Sequence, residues 1–182
     1  RDGRKVRLTR STDELGVQFR SGDDVQAGAR RLASAGHGTV EDFAAAPGAR
    51  IKRLRVAEAS AARRRWVRQD PALVDVRSVY RFDGSEAPVV SSGTMAVKVR
   101  GDLSDDQRAA LWNDYQTVEV DAFKGLPDVY LVKPVDDDAD EVLIAEQLVE
   151  DERTRWAHPN FYRAAAPHQV SVSDKFYNLQ WH

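Results

Sequence analysis

Cysteine is absent from these 182 residues. Without it there is no disulfide framework, no thiol nucleophile and no thiolate metal site. Neither sign of charge dominates, since 27 Lys and Arg face 29 Asp and Glu for a net charge of −2. That balance gives no global pull toward nucleic acid or an anionic membrane surface. No long apolar run is present, so no segment reads as a bilayer span. Catalytic signatures are missing too: there is no G-x-S-x-G elbow, no Walker-type phosphate loop and no H-E-x-x-H pair. What remains is 42% hydrophobic and 31% charged, a globular composition sufficient for one domain or two small ones.

The clearest positive feature is an internal repeat. Residues Glu14–Arg20 alternate apolar Leu15, Val17 and Phe19 with polar neighbours, and Thr94–Arg100 do the same with Met95, Val97 and Val99. Such period-two alternation marks strands with one buried face. Each strand runs into an acidic break, Ser21-Gly22-Asp23-Asp24 or Gly101-Asp102-Leu103-Ser104-Asp105-Asp106, and then a helical pattern. In the second copy Ser104 precedes Gln107 by three residues, a capping-box spacing that predicts a helix start. Second strands are expected at Ile51–Val56 and Val129–Lys133, and second helices over Ala59–Gln69 and Ala139–Glu150. Both copies close alike, in VYRF at Val79–Phe82 and NFYR at Asn160–Arg163, an offset of about 80 residues.

With one hairpin strand fitted between, each half reads β-α-β then β-α-β. The fold class expected is therefore α+β: two tandem ferredoxin-like units, antiparallel sheets with helices on one face, and an extended C-terminal tail. The units are placed at residues 1–88 and 89–166, with the tail at 167–182. Asp83–Gly93, rich in small and turn residues, is read as the boundary. Each sheet would leave its other face bare, to be covered either by the other unit or by a partner.

The second half resembles the pro-segment of bacterial subtilisin-like and kexin-like serine proteases. Three stretches carry the likeness: AVKVRGDLSDDQRAALWNDY at Ala96–Tyr115, LPDVYLVKPV at Leu126–Val135, and LVEDERTRWAHPNFYR at Leu148–Arg163. The final stretch, Ser173-Asp174-Lys175-Phe176-Tyr177-Asn178-Leu179-Gln180-Trp181-His182, is similar to the DP-x-F/Y-x-x-QW-x-L run that opens many such catalytic domains. Lys175 stands where proline is usual. The chain opens at Arg1-Asp2-Gly3 and not at a methionine, which is read as an upstream portion, signal peptide included, lying outside it.

The resemblance implies a non-catalytic chain that assists folding of a following Asp-His-Ser protease domain and then inhibits it. No triad residue is assigned here, and the partner implied is that cognate domain, outside the cytoplasm, with no cofactor, nucleic acid or membrane. Inhibition in the family runs through the outgoing tail, which lies in the substrate cleft as an added strand. Two segments compete for that role. Position after the last strand favours Phe161, Tyr162, Arg163, Ala164, Ala165 and Ala166, with Tyr162 in an outer pocket and Ala165 before the cut; Pro167 argues against cleavage after Ala166. The rival is the processed end Leu179, Gln180, Trp181 and His182.

Other signals carry less. His37, His158, His168 and His182 lack metal-ligand spacing and read as scattered surface residues. Asp136-Asp137-Asp138 with Asp140 lacks the glycine and distal glutamate of an EF-hand and reads as a solvated turn before a helix. Arg63-Arg64-Arg65 reads as an exposed basic face on a helix that turns Trp66 inward. Trp156 is expected in the core. The alternative function is a small-molecule-sensing regulatory module of tandem units, for which Ser91-Ser92-Gly93 is the candidate turn.

Overall fold

A computed structural model describes residues 7–20, 25–43, 50–85 and 87–163. Twelve elements follow in the order β1 (Leu8–Phe19), α1 (Val25–Ser34), β2 (Thr39–Asp42), β3 (Ile51–Arg55), α2 (Ala61–Arg68), β4 (Leu73–Phe82), β5 (Pro88–Val99), α3 (Asp105–Asp114), β6 (Thr117–Ala122), β7 (Val129–Pro134), α4 (Glu141–Glu150) and β8 (Thr154–Arg163). The protein is α+β, with one eight-stranded antiparallel sheet and four helices among the described residues.

The repeat is visible in the pairing. In the first half the strand order is β2-β3-β1-β4, and in the second β6-β7-β5-β8. Each half has its own core on the helical face. Leu15, Val17 and Phe19 of β1 bury against Leu32, Leu54, Val67 and Val76. Met95, Val97 and Val99 of β5 bury against Leu111, Trp112, Val132, Ala145 and Leu148. The alternating residues anticipated for β1 and β5 thus supply both cores, because a strand's alternate side chains share one face.

Local sequence explains the helix starts. Ser104 and Gln107 form the reciprocal capping box, with the Ser104 N–H donating to Gln107 Oε1 at 2.9 Å and the Gln107 N–H to Ser104 Oγ at 3.2 Å. Asp140 caps α4 by accepting from the Val142 and Leu143 N–H groups at 3.1 and 3.3 Å.

Several expectations change. The expected boundary at Asp83–Gly93 is only partly turn: β5 already begins at Pro88, and Val79, Tyr80 and Arg81 of β4 pair with Val90, Val89 and Pro88. The halves therefore join edge to edge and do not stack face to face. Trp66 does not enter the core; it is 42% exposed and stacks on His37 with ring centroids 4.0 Å apart. On α2 it is Arg64 that is buried, at 4% exposure, and His37 is buried rather than a surface residue. Helical phase explains the exchange, since Arg64 and Val67, three apart, share the inward face.

The seam between the halves is polar and specific. Asp138, whose side chain is 7% exposed, meets Arg65 at 2.6 Å, Arg68 at 3.4 Å and Arg64 at 3.5 Å. The aspartate turn is thus solvated only in part: Asp136 and Asp137 are exposed and Asp140 starts α4 as expected, but the Asp138 carboxylate is consumed by three guanidiniums of α2. Next to it, Asp140 accepts from the hydroxyl of buried Tyr80 at 2.9 Å and pairs with Arg10 at 3.3 Å. Burial, with Glu141 and Asp140 nearby, drives the Tyr80 phenol well above its ordinary range.

A bulge lets β5 serve both halves. Ser91 pairs with Phe161 and Met95 with Pro159, so β5 spends four steps where β8 spends two. Gly93 sits in this bulge at φ 74°, a left-handed conformation that favours glycine, with the Arg77 guanidinium packed where a Cβ would lie.

Candidate functional site: the open face of the second half and the end of β8

Residues directly opposite across paired strands share a face. Ala96 lies opposite Leu131 and His158, Lys98 opposite Val129 and Trp156, and Lys133 opposite Val118. These side chains therefore form one surface, on the side of the sheet away from α3 and α4. Trp156 was expected in the core but lies here, half-buried and stacked on the exposed His158 with centroids 5.3 Å apart. Ala96, Lys98 and Leu131 are half-buried, while Val118 is 39% exposed. The result is an aliphatic and aromatic patch that also carries Lys98, Lys133 and, opposite Leu131, Asp121. Large apolar groups grouped on a bare sheet face mark an interaction surface.

The same side of the first half is built differently. Glu14, 2% exposed, is held by Arg53 at 2.9 Å and by Arg81, and Arg53 also pairs with Glu41 at 3.1 Å. Arg77 is paired with Asp75. Beside these ions Phe43, Val79, Val90 and Ile51 form a small buried cluster, with Val90 covering Gly16. That face satisfies its own charges and apolar groups, whereas the second half's face does not.

β8 carries the site to its edge. Trp156, His158, Asn160 and Tyr162 alternate onto the open side, where Asn160 donates to Thr94 at 3.1 Å and Tyr162 is 41% exposed. Phe161 and Arg163 point to the opposite side, toward the first half. The Phe161 ring meets Tyr80 at 5.7 Å and Phe82 at 6.1 Å, both edge-on, and the Arg163 guanidinium lies 4.7 Å over Phe82. Each edge-on aromatic pair contributes about 0.5–1.5 kcal/mol beyond burial. Phe161, Tyr162 and Arg163 are thus strand residues, paired with Ser91, Val90 and Val89. Ala164, Ala165, Ala166, Leu179, Gln180, Trp181 and His182 lie outside the described residues.

Elsewhere several titratable groups are engaged in the fold itself. Arg153 and the Tyr115 hydroxyl hold the Asp151 carboxyl down to about 2, within an open polar depression lined only by second-half residues such as Asp114 and Gln147. The Ser91-Ser92-Gly93 turn, weighed for a small ligand, closes on itself: Ser91 Oγ accepts the Gly93 N–H at 2.9 Å and Arg77 packs over it. Among the described residues no grouping of His, Asp or Glu is placed to hold a metal ion. No helix among them is long and apolar enough to cross a membrane.

Sequence reasoning missed the seam residues Tyr80, Arg64 and Asp138 and the anchoring role of Phe161. The one signal that pointed there was the matched VYRF and NFYR endings, whose aromatics meet in space. Comparison with known proteins finds no matching family profile, no matching curated protein and no matching solved structure.

Proposed function

We propose that this chain is the pro-segment of a secreted subtilisin-like serine protease, composed of two ferredoxin-like units, and that it templates and then inhibits the catalytic domain following it. The β-α-β-β-α-β order of each half, with its last strand beside its first, supports the ferredoxin-like reading. The observation that carries the functional reading is the contrast between the two open faces. The first neutralises itself, while the second offers Val118, Leu131, Ala96 and Trp156 in need of a cover.

On this reading the second half docks its open face on the catalytic domain, and the chain leaving β8 enters the substrate cleft. An extended segment there gains main-chain hydrogen bonds from the cleft edges while alternate side chains fill pockets. Tyr162 already faces the docking side. Ala164–Ala166 would occupy the cleft next to the cut, with Leu179–His182 as the alternative occupant. Folding assistance follows from the same contact, because a preformed sheet lowers the barrier to a domain that is otherwise kinetically trapped.

The test is inhibition of the catalytic domain placed after His182, using chains 1–182, 1–166 and 1–163. Inhibition by 1–182 and 1–166 that weakens at least tenfold in 1–163 is expected. Loss already in 1–166 moves the cleft segment to the end of the chain. Absence of inhibition by folded 1–182 overturns the pro-segment reading.

A further inference from the structure

We infer that the first half of the chain is the positioning device for the inhibitory exit: it fixes the direction and register in which the chain leaves Arg163. This rests on the pro-segment reading above and adds a role for the half that does not present the docking face.

The end of β8 has two kinds of support. Residues Thr154–Pro159 pair with Met95–Val99, inside the second half's own sheet. Phe161–Arg163 pair instead with Val89–Ser91, the part of β5 beyond the bulge, whose other edge is held by β4 of the first half. Side chains repeat that division. Phe161 sits against Tyr80 and Phe82, and Arg163 lies over Phe82, all on β4. Tyr80 is itself held by Asp140, which fixes one side of the platform under Phe161.

The consequence is geometric. Among the described residues β8 is held on one edge only, by β5, and strand ends held on one edge fray, since each residue left unfixed regains backbone entropy. With the first half in place, the last three residues of β8 continue the strand with Tyr162 toward the docking side. Without it, Val89–Ser91 lose β4, Phe161 loses its platform, and the chain leaves the sheet near Pro159, four residues earlier. A segment meant to present one bond to a cleft would then present several, because a strand slipped by one residue turns every side chain over.

The experiment compares full-length Phe82→Ala and Phe161→Ala with Phe82→Tyr and with Leu54→Ala. Leu54→Ala weakens the first half's core without touching Phe161. Hydrogen exchange of the free chain is read first. The amides of Tyr162 and Arg163 should exchange at least tenfold faster in Phe82→Ala, while those of Trp156–His158 keep their wild-type rates. Inhibition of the catalytic domain should then weaken at least tenfold in Phe82→Ala and Phe161→Ala, with no further loss in the double variant. Cuts in their tails should spread over several bonds. Phe82→Tyr, which keeps the ring, should restore a single cut, and Leu54→Ala should retain one.

If exchange at Tyr162 and Arg163 is unchanged, or if Phe82→Ala inhibits as tightly as wild type and is cut at the same bond, the positioning role is overturned. If wild type itself fails to inhibit while its exchange pattern is as expected, the pro-segment reading falls instead.

Discussion

Tyr80 and Asp140, sixty residues apart, are joined by a hydrogen bond of 2.9 Å from the phenol to the aspartate that caps α4. Tyr80 lies near the end of the first half's last strand, and Asp140 opens the second half's last helix. The bond therefore couples a central strand of the sheet to a helix start, and its acceptor is a partly sheltered carboxylate that also pairs with Arg10.

Removing that hydroxyl should be felt in both halves. Tyr80→Phe is expected to cost about 1.5–3 kcal/mol, the usual worth of a buried hydrogen bond to a charged group. Urea unfolding of Tyr80→Phe, Asp140→Ala and the double variant measures it. The two losses should be strongly non-additive, since both remove one bond. Additive losses would show that the pair does not couple the halves.

Asp138 is the second prediction. Asp138→Ala leaves Arg64 buried without its carboxylate, and stripping one partner from a buried ion pair costs about 3–5 kcal/mol. Arg65→Ala removes a contact to the same carboxylate from a side chain that is 65% exposed, so its effect should stay below about 1 kcal/mol. Denaturant midpoints of the two variants decide it. Similar small shifts would mean that Arg64 finds enough support from Ser78 and the Asp138 carbonyl alone.

Glu141 gives a pH dependence of defined sign. Burial raises its carboxyl above the ordinary 4.5; Ser91 and Arg77 oppose that shift and Asp140 adds to it, and Oε1 has no hydrogen-bond partner. A carboxyl raised in the fold holds its proton longer there than in the unfolded chain. Ionisation therefore costs nothing below about 4.5 and progressively destabilises as pH climbs through and above that value. Glu141→Gln removes the cost, so the variant should gain on wild type between pH 4 and 7. Unfolding free energies that stay parallel across that range would refute it.

Much of the fold was legible because short-range physics wrote it. Leu15, Val17 and Phe19, or Met95, Val97 and Val99, can bury together only as strand faces, and Ser104 with Gln107 can cap only a helix start. Trp66 and Arg64 were misread because hydrophobicity outranked helical phase. The phase points Arg64 at Asp138, a partner 74 residues away that no local pattern reveals. Trp156 was misread for a related reason: alternation distinguishes two faces of a strand but not which one a helix covers.

By itself, the sequence determined two strand-and-helix repeats, their apolar faces and the absence of thiol chemistry. Only the tertiary structure decided that the repeats share one sheet, that their seam is held by Asp138 and Tyr80, and that Phe161 rests on the first half. Those contacts depend on long-range register, in particular on a bulge at Gly93 that lets one strand pair on one edge with both halves. Periodicity is set by neighbours along the chain, whereas register across it is set by which pairs bury the most surface and leave the fewest polar groups unpaired.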